Sequence, residues 1–103
     1  MEYIHNTTFI VERSVAEKFT QWAQEVYIPA AERSGLFRQI TMAKILAEID
    51  PAAVNYCVQM RSDSLETSEQ WHRDTAVILK DDIAAHLGAE RVMFFSTDME
   101  VIK

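Results

Sequence analysis

Residues 40–61, ITMAKILAEIDPAAVNYCVQMR, decide the fold. Their second half, 53–61, alternates strictly. Val54, Tyr56, Val58 and Met60 fall on one side, and Asn55, Cys57, Gln59 and Arg61 on the other, which is the two-residue period of a strand. The first half, 40–49, also reads as a strand, although Ala and Lys dilute its β propensity. Asp50-Pro51-Ala52-Ala53 sits between them, with proline at the second turn position. Two consecutive strands in mid-chain make a hairpin, and its flanks determine the class.

Both flanks are helical. Upstream, Ser14 followed by Glu17 reads as a capping box, and Val15, Phe19, Trp22 and Val26 form one apolar stripe. Pro29 is expected to end that regular run and to open a further turn closed by Gly35. Downstream, Asp63 or Ser64 caps a second helix. Leu65, Ser68, His72, Ala76, Leu79, Ile83 and Leu87 recur along it every three or four residues, and Gly88 ends it. Residues 2–11 (EYIHNTTFIV) and 91–101 (RVMFFSTDMEV) are strands. The order βαββαβ is the ferredoxin-like pattern, an α+β fold with a four-stranded antiparallel sheet and two helices on one face. A length of 103 residues fits a single domain over 1–103.

Composition narrows the partners. The chain is 49% hydrophobic and 25% charged, with a net charge of −6 and its basic residues scattered among acids. Phosphate backbones attract Lys and Arg, so nucleic acid is not expected as a partner. No run approaches the roughly 20 apolar residues that span a bilayer, so no membrane partner is expected. A single cysteine, Cys57, and an N-terminus without a signal-peptide pattern point to a cytoplasmic location.

A sheet covered on one face leaves the other bare. Strands two and four carry apolar residues on both sides: Met93, Phe95, Met99 and Val101 oppose Val92, Phe94 and Ile102, while Ala43, Ile45 and Ile49 oppose Met42 and Leu46. An apolar second face marks an interaction surface, and a two-fold homodimer is the economical partner. Val92, Phe94 and Leu46 are expected on that face, around Asn55 and Gln59.

The chain resembles a family of small bacterial proteins known only as a domain of unknown function, within the dimeric α+β barrel group of the ferredoxin-like fold. The resemblance is carried by Asn6, Val11-Glu12, Phe19-Thr20-Gln21-Trp22 through Glu25-Val26-Tyr27-Ile28-Pro29, Tyr56-Cys57-Val58-Gln59, Asp63-Ser64-Leu65 and Phe95 through Ile102. Where that family tends to show His-Ile-Pro, this chain has Tyr27-Ile28-Pro29. The resemblance implies the fold and the homodimer. The wider group includes cofactor-free monooxygenases, haem-degrading enzymes and ligand-binding stress proteins.

Phosphate loops, nucleophile elbows and paired-cysteine zinc sites are absent from the sequence. His72 and His86 lie about 21 Å apart along a helix at about 1.5 Å per residue and cannot share a metal, and no metal site or cofactor is expected. His72, placed on the inward stripe, can act as acid, base or ligand anchor; a hydrogen-bonded core histidine is the simpler account. Ser68 beside it is small enough to leave space. Trp71, one step round the helix, reads more readily as packing than as a substrate platform. Trp22 and Tyr27 are placed at the helix–sheet cleft. Asn6 and His5 alternate across strand one, and Asn6 suits either a bound oxygen atom or the dimer seam. Cys57 reads as a small buried hydrophobe, and Lys80-Asp81-Asp82 as a solvated helix face. The haem-degrading members of the group this chain resembles pair a strand-one asparagine and a helix-two tryptophan with an iron-ligating histidine about three turns on. Asn6 and Trp71 fit, but three turns beyond Trp71 the helix offers Asp81 and Asp82, so the resemblance implies no haem-degrading role.

The leading expectation is a protein that binds a small apolar or amphipathic ligand in that cleft, with Asn6, Trp22, Tyr27, Ser68, Trp71 and His72 as candidate contacts. One alternative is a cofactor-independent monooxygenase or isomerase using the same space. The other is an interaction module whose cleft is filled by Phe19, Trp22 and Leu79. An open or filled cleft separates them.

Overall fold

A computed structural model describes residues 1–103. The strands are β1 (Tyr3–Glu12), β2 (Ile40–Ile45), β3 (Ala53–Ser62) and β4 (Val92–Glu100). They form one antiparallel sheet in the order β2-β3-β1-β4. Each helical arm is interrupted by a π-turn. The first runs α1 (Ala16–Trp22), π-turn Ala23–Tyr27, α2 (Ile28–Ser34); the second runs α3 (Leu65–Trp71), π-turn His72–Ala76, α4 (Val77–Leu87). The expected βαββαβ order and α+β class hold.

Register assigns the faces. His5, Thr7, Phe9 and Val11 of β1 are buried under the arms, flanked by Val54, Tyr56, Val58 and Met60 of β3. Phe9, Phe19 and Tyr56 stack at centroid distances of 5.0 and 5.1 Å around Phe19, which holds the first arm on the sheet.

The π-turns explain where the helical expectations fail. Pro29 does not end the first arm. A proline ring inside a helix collides with the carbonyl four residues back and cannot donate to it. Here the turn before it is widened, and Ile28 donates to the Ala23 carbonyl five residues back. The helix therefore passes through Pro29 to Ser34, and Gly35 closes it at φ 68°. In the second arm the wide turn shifts the helical phase, so Trp71 takes the inward position at 1% exposure and His72 moves outward.

Two further expectations are corrected. Strand two stops at Ile45, because nothing overlies Leu46 and Ile49, which stay 86% and 85% exposed and gain nothing from pairing. Ser14 does not cap its helix. It donates to the Glu12 carboxylate at 2.7 Å, a charge-assisted acceptor that outcompetes a backbone contact, and a 3-10 turn (Arg13–Val15) leads in instead. Ser64 does cap the second arm, accepting from the Glu66 amide at 3.1 Å.

The bare face is also composed differently. Val92 and Phe94 pair in register with Val11 and Phe9, so they face the arms, and Leu46 lies beyond the sheet. The outer face instead carries Ile45, Asn55, Ile10 and Met93 in one row across the strands, then Ala43, Cys57, Thr8 and Phe95. A polar row follows, Thr41, Gln59, Asn6 and Thr97, and then Arg61, Ile4 and Met99. Cys57 is half-buried on this face, not in the core, since strand alternation places it opposite Tyr56 and Val58.

Candidate functional site

Both π-turns border a cleft of about 270 Å³ between the second arm and the sheet. Its floor is Thr7 and Phe9 of β1 with Phe94 and Ser96 of β4. The walls are aromatic and aliphatic: Trp22 and Tyr27 from the first arm, and Trp71, Ala76, Leu79 and Ile83 from the second. Widened turns commonly occur at functional positions, because they re-aim side chains that a regular helix would place elsewhere. Here they direct Tyr27 and Trp71 edge to face, 5.8 Å apart at 75°, while Phe9 meets Tyr27 at 5.6 Å and 90°.

One rim is tied by Trp22 Nε1, which donates to Asp82 Oδ2 at 2.7 Å. Asp82 is therefore not a merely solvated charge, since it joins the two arms. At the other end the cleft turns polar. Thr7 Oγ1 and Ser96 Oγ are 2.9 Å apart and share a hydrogen bond. Two residues further along the same strands, His5 Nδ1 and Ser68 Oγ both meet Asp98 Oδ1 at 2.8 Å. His72 stands beside them on the rim, its ring edge-on to that of His5 with centroids 4.9 Å apart.

Electrostatics follow from these contacts. Burial pushes the Tyr27 phenol above its usual range, against smaller opposite effects of Thr7 and Trp71, so it remains a donor at neutral pH. His72 is lowered from 6.5, first by burial and then by His5, with Asp98 opposing. For Asp98, burial acts upward, but hydrogen bonds from His5 and Ser68 and the charges of the two imidazoles outweigh it and hold the carboxyl below 3.8. Both shifts make acid destabilising. Between 6.5 and the lower folded value of His72, the unfolded chain binds a proton that the folded chain does not, so stability falls as pH drops through that window. The contribution of Asp98 is complete above 3.8 and is lost as pH falls through its lower folded value. Urea midpoints measured from pH 8 to pH 3 should decline in these two stages, and the His72→Gln variant should lack the first.

Of the candidate residues, Trp22, Tyr27, Trp71 and His72 line the cleft. Ser68 is buried just behind it, on Asp98. Asn6 does not belong to the cleft. It lies on the outer face of the sheet, where its Nδ2 donates to Thr8 Oγ1 at 3.2 Å and its buried Oδ1 has no partner. Asn6 and Trp71 are thus on opposite sides of the sheet. His5, Thr7, Ser96 and Asp98 were not singled out as site residues; a histidine and a threonine alternating into an otherwise apolar strand face were the available signal. No group of three or more His, Cys, Asp or Glu side chains is placed to hold a metal ion. No helix is long and apolar enough to cross a membrane.

The chain belongs to the family described as Domain of unknown function (DUF4286), whose pattern matches residues 2–102. No curated protein matches it by sequence. Solved structures share its fold. A dimeric ferredoxin-like protein from an uncultured marine organism is 9% identical, with 99% of this chain and 96% of that one covered at a TM-score of 0.66. A DABB family protein with a ferredoxin-like fold from Mesorhizobium loti is also 9% identical, with all of both chains covered at 0.64. A Bacillus cereus protein provisionally named an antibiotic biosynthesis monooxygenase is 13% identical, with 99% and 94% covered at 0.66. These likenesses bear out the expected unknown-function family and ferredoxin-like fold.

Proposed function

We propose that this protein binds a small apolar or amphipathic ligand in the cleft, and that it does so as a cytoplasmic homodimer joined through the outer face of the sheet, each copy a single domain over residues 1–103. The observation that carries the ligand reading is the cleft itself. It is an open space of about 270 Å³ with aromatic and aliphatic walls and a few polar groups gathered at one end. That is the composition of small-molecule sites, near the lower end of their size range. An interaction module with a filled interior would have used Trp22 and Leu79 to close this space; they stand at its edge instead. The homodimer is supported by the apolar rows of the outer face and by neighbours of the same fold that are described as dimeric. The lone cysteine, which permits no intrachain disulfide, supports the reducing compartment.

The test exploits the two tryptophans, both of which wall the cleft. Titrating the protein with small bicyclic aromatic alcohols and ketones should quench tryptophan fluorescence and raise Tm. Ala76→Leu fills the wall from the second π-turn and should weaken binding at least tenfold, a loss of about 1.4 kcal/mol, while leaving the fold intact by circular dichroism. Undiminished binding in Ala76→Leu would place the ligand elsewhere.

A further inference from the structure

The polar end of the cleft is assembled from three separate elements: His5 on β1, Ser68 and His72 on the second arm, and Asp98 on β4. As an ionised carboxylate, Asp98 only accepts hydrogen bonds, so the 2.8 Å contact fixes the His5 tautomer with the proton on Nδ1. The lone pair of His5 is then on Nε2. That atom is buried without any partner, in a side chain only 1% exposed, and the His72 ring packs against the same imidazole at 79° with centroids 4.9 Å apart. A buried, oriented imidazole with a free nitrogen is costly to leave unpaired unless something uses it.

Hydrogen-bond donors lie at the same end. The hydroxyls of Thr7 and Ser96 carry two protons and their mutual hydrogen bond uses one; when Thr7 is its donor, the Ser96 proton is available to a ligand oxygen. The Tyr27 phenol lines the cleft as well. A base and hydroxyl donors lining the same apolar cleft are the groups that proton abstraction next to a carbonyl requires.

We propose that His72 is a general base that shifts a proton on a small enolisable ketone held in the cleft, with His5 and Asp98 as its positioning residues. The His72 imidazole takes the proton from the carbon beside the carbonyl. The C–H electron pair becomes the C=C bond, and the carbonyl π pair moves onto oxygen, which accepts from the Thr7–Ser96 pair and Tyr27. The imidazolium is stabilised by the Asp98 carboxylate, whose charge acts against the lowering by burial and His5. Returning the proton to the same carbon, or to the far end of a conjugated system, restores the ketone. No electrons are gained or lost, so no oxidant or redox cofactor enters the step. The groups facing His72 are His5 from β1 and Asp98 from β4; Lys80 of α4 and Tyr27 share the cleft, and on its own turn Arg73 pairs with Asp74. His72 is uncharged at neutral pH, as a base must be.

This inference rests on the cleft being a ligand site, and the experiment separates the two. With 2-tetralone as the probe, tryptophan quenching reports binding, and proton NMR in D2O reports exchange of the α-protons. The wild-type protein is expected to bind the probe and to accelerate exchange over buffer. His72→Gln should bind it comparably and lose about 100-fold in exchange rate. The wild-type rate should rise with pH through a midpoint below 6.5, and Asp98→Asn should move that midpoint lower still, because the carboxylate that favours the imidazolium is gone. A purely structural role for Asp98 would not move the midpoint. Binding without protein-dependent exchange, or exchange undiminished in His72→Gln, overturns the proton-transfer site alone. Absence of quenching in the wild type overturns the cleft reading together with it.

Discussion

Trp71→Ala is expected to lower the unfolding free energy by about 3–5 kcal/mol, the cost of truncating a large buried aromatic. Trp71 is 1% exposed and is the largest of the fully buried side chains. Its ring is gripped edge to face by Tyr27 at 5.8 Å and by Phe37 at 5.7 Å. Three separate pieces of chain therefore meet on it: the first π-turn, the segment after Gly35 and the second arm. The surroundings cannot collapse onto the void, because the cleft already occupies the other side of the ring. Domains of this size have only about 5–15 kcal/mol in total, so the variant should be marginal and should melt at least about 12 °C lower. Paired urea and thermal unfolding of wild type and variant measure it. A loss below about 1 kcal/mol would mean that Trp71 is not the keystone between the arms.

The packing role expected of Trp71 holds, but a regular helical period puts His72 rather than Trp71 on the inward stripe, and the reason it fails lies in the spacing. The fold itself was legible, because strand alternation in 53–61 and in strand one survives intact in the structure. Fixed spacing along the arms was the weaker guide. The residues that turn inward run Phe19, Trp22, Tyr27 and Ala31 in the first arm and Ser68, Trp71, Ala76 and Leu79 in the second. Each series contains one step of five, Trp22 to Tyr27 and Trp71 to Ala76, and those steps are the π-turns. A search restricted to steps of three and four skips Tyr27 in favour of Val26 and replaces Trp71 by His72. Allowing one step of five, prompted by Pro29 in the first arm, puts Tyr27 and Trp71 on the inward stripes themselves, in agreement with their place among the candidate cleft contacts. The polar end was harder to see. His5, Thr7, Ser96 and Asp98 meet only through the β1–β4 register, in which Thr7 pairs with Ser96 and His5 with Asp98. That register joins residues at opposite ends of the chain, and no local pattern specifies it.

The same register moves the expected dimer contact from Phe94 to Phe95, and Phe95→Asp is predicted to convert a homodimer into a folded monomer. Phe95 lies on the outer face at 56% exposure, in the row with Thr8, Cys57 and Ala43 and beside Met93 and Ile10. In a single copy a carboxylate there remains hydrated, so the fold should barely change. In the proposed dimer it would be buried against an apolar partner surface, and burying an unpaired carboxylate costs several kcal/mol. About 4 kcal/mol corresponds to nearly a thousandfold in Kd, enough to dissociate the dimer at micromolar concentration. Phe94→Asp is the control. Phe94 packs on Phe9 at 5.6 Å inside the cleft, so its substitution should abolish probe binding and reduce Tm while leaving the association state unchanged. Light scattering with size-exclusion chromatography distinguishes these outcomes. A wild-type protein that runs as a monomer, or a Phe95→Asp variant that stays dimeric, would rule out the outer face as the seam. A dimer broken by Phe95→Asp would also account for the polar row at its centre. The unpartnered Asn6 Oδ1 and Asn55 Oδ1 need donors, and amide side chains such as Gln59 of a second copy can supply them across a two-fold axis.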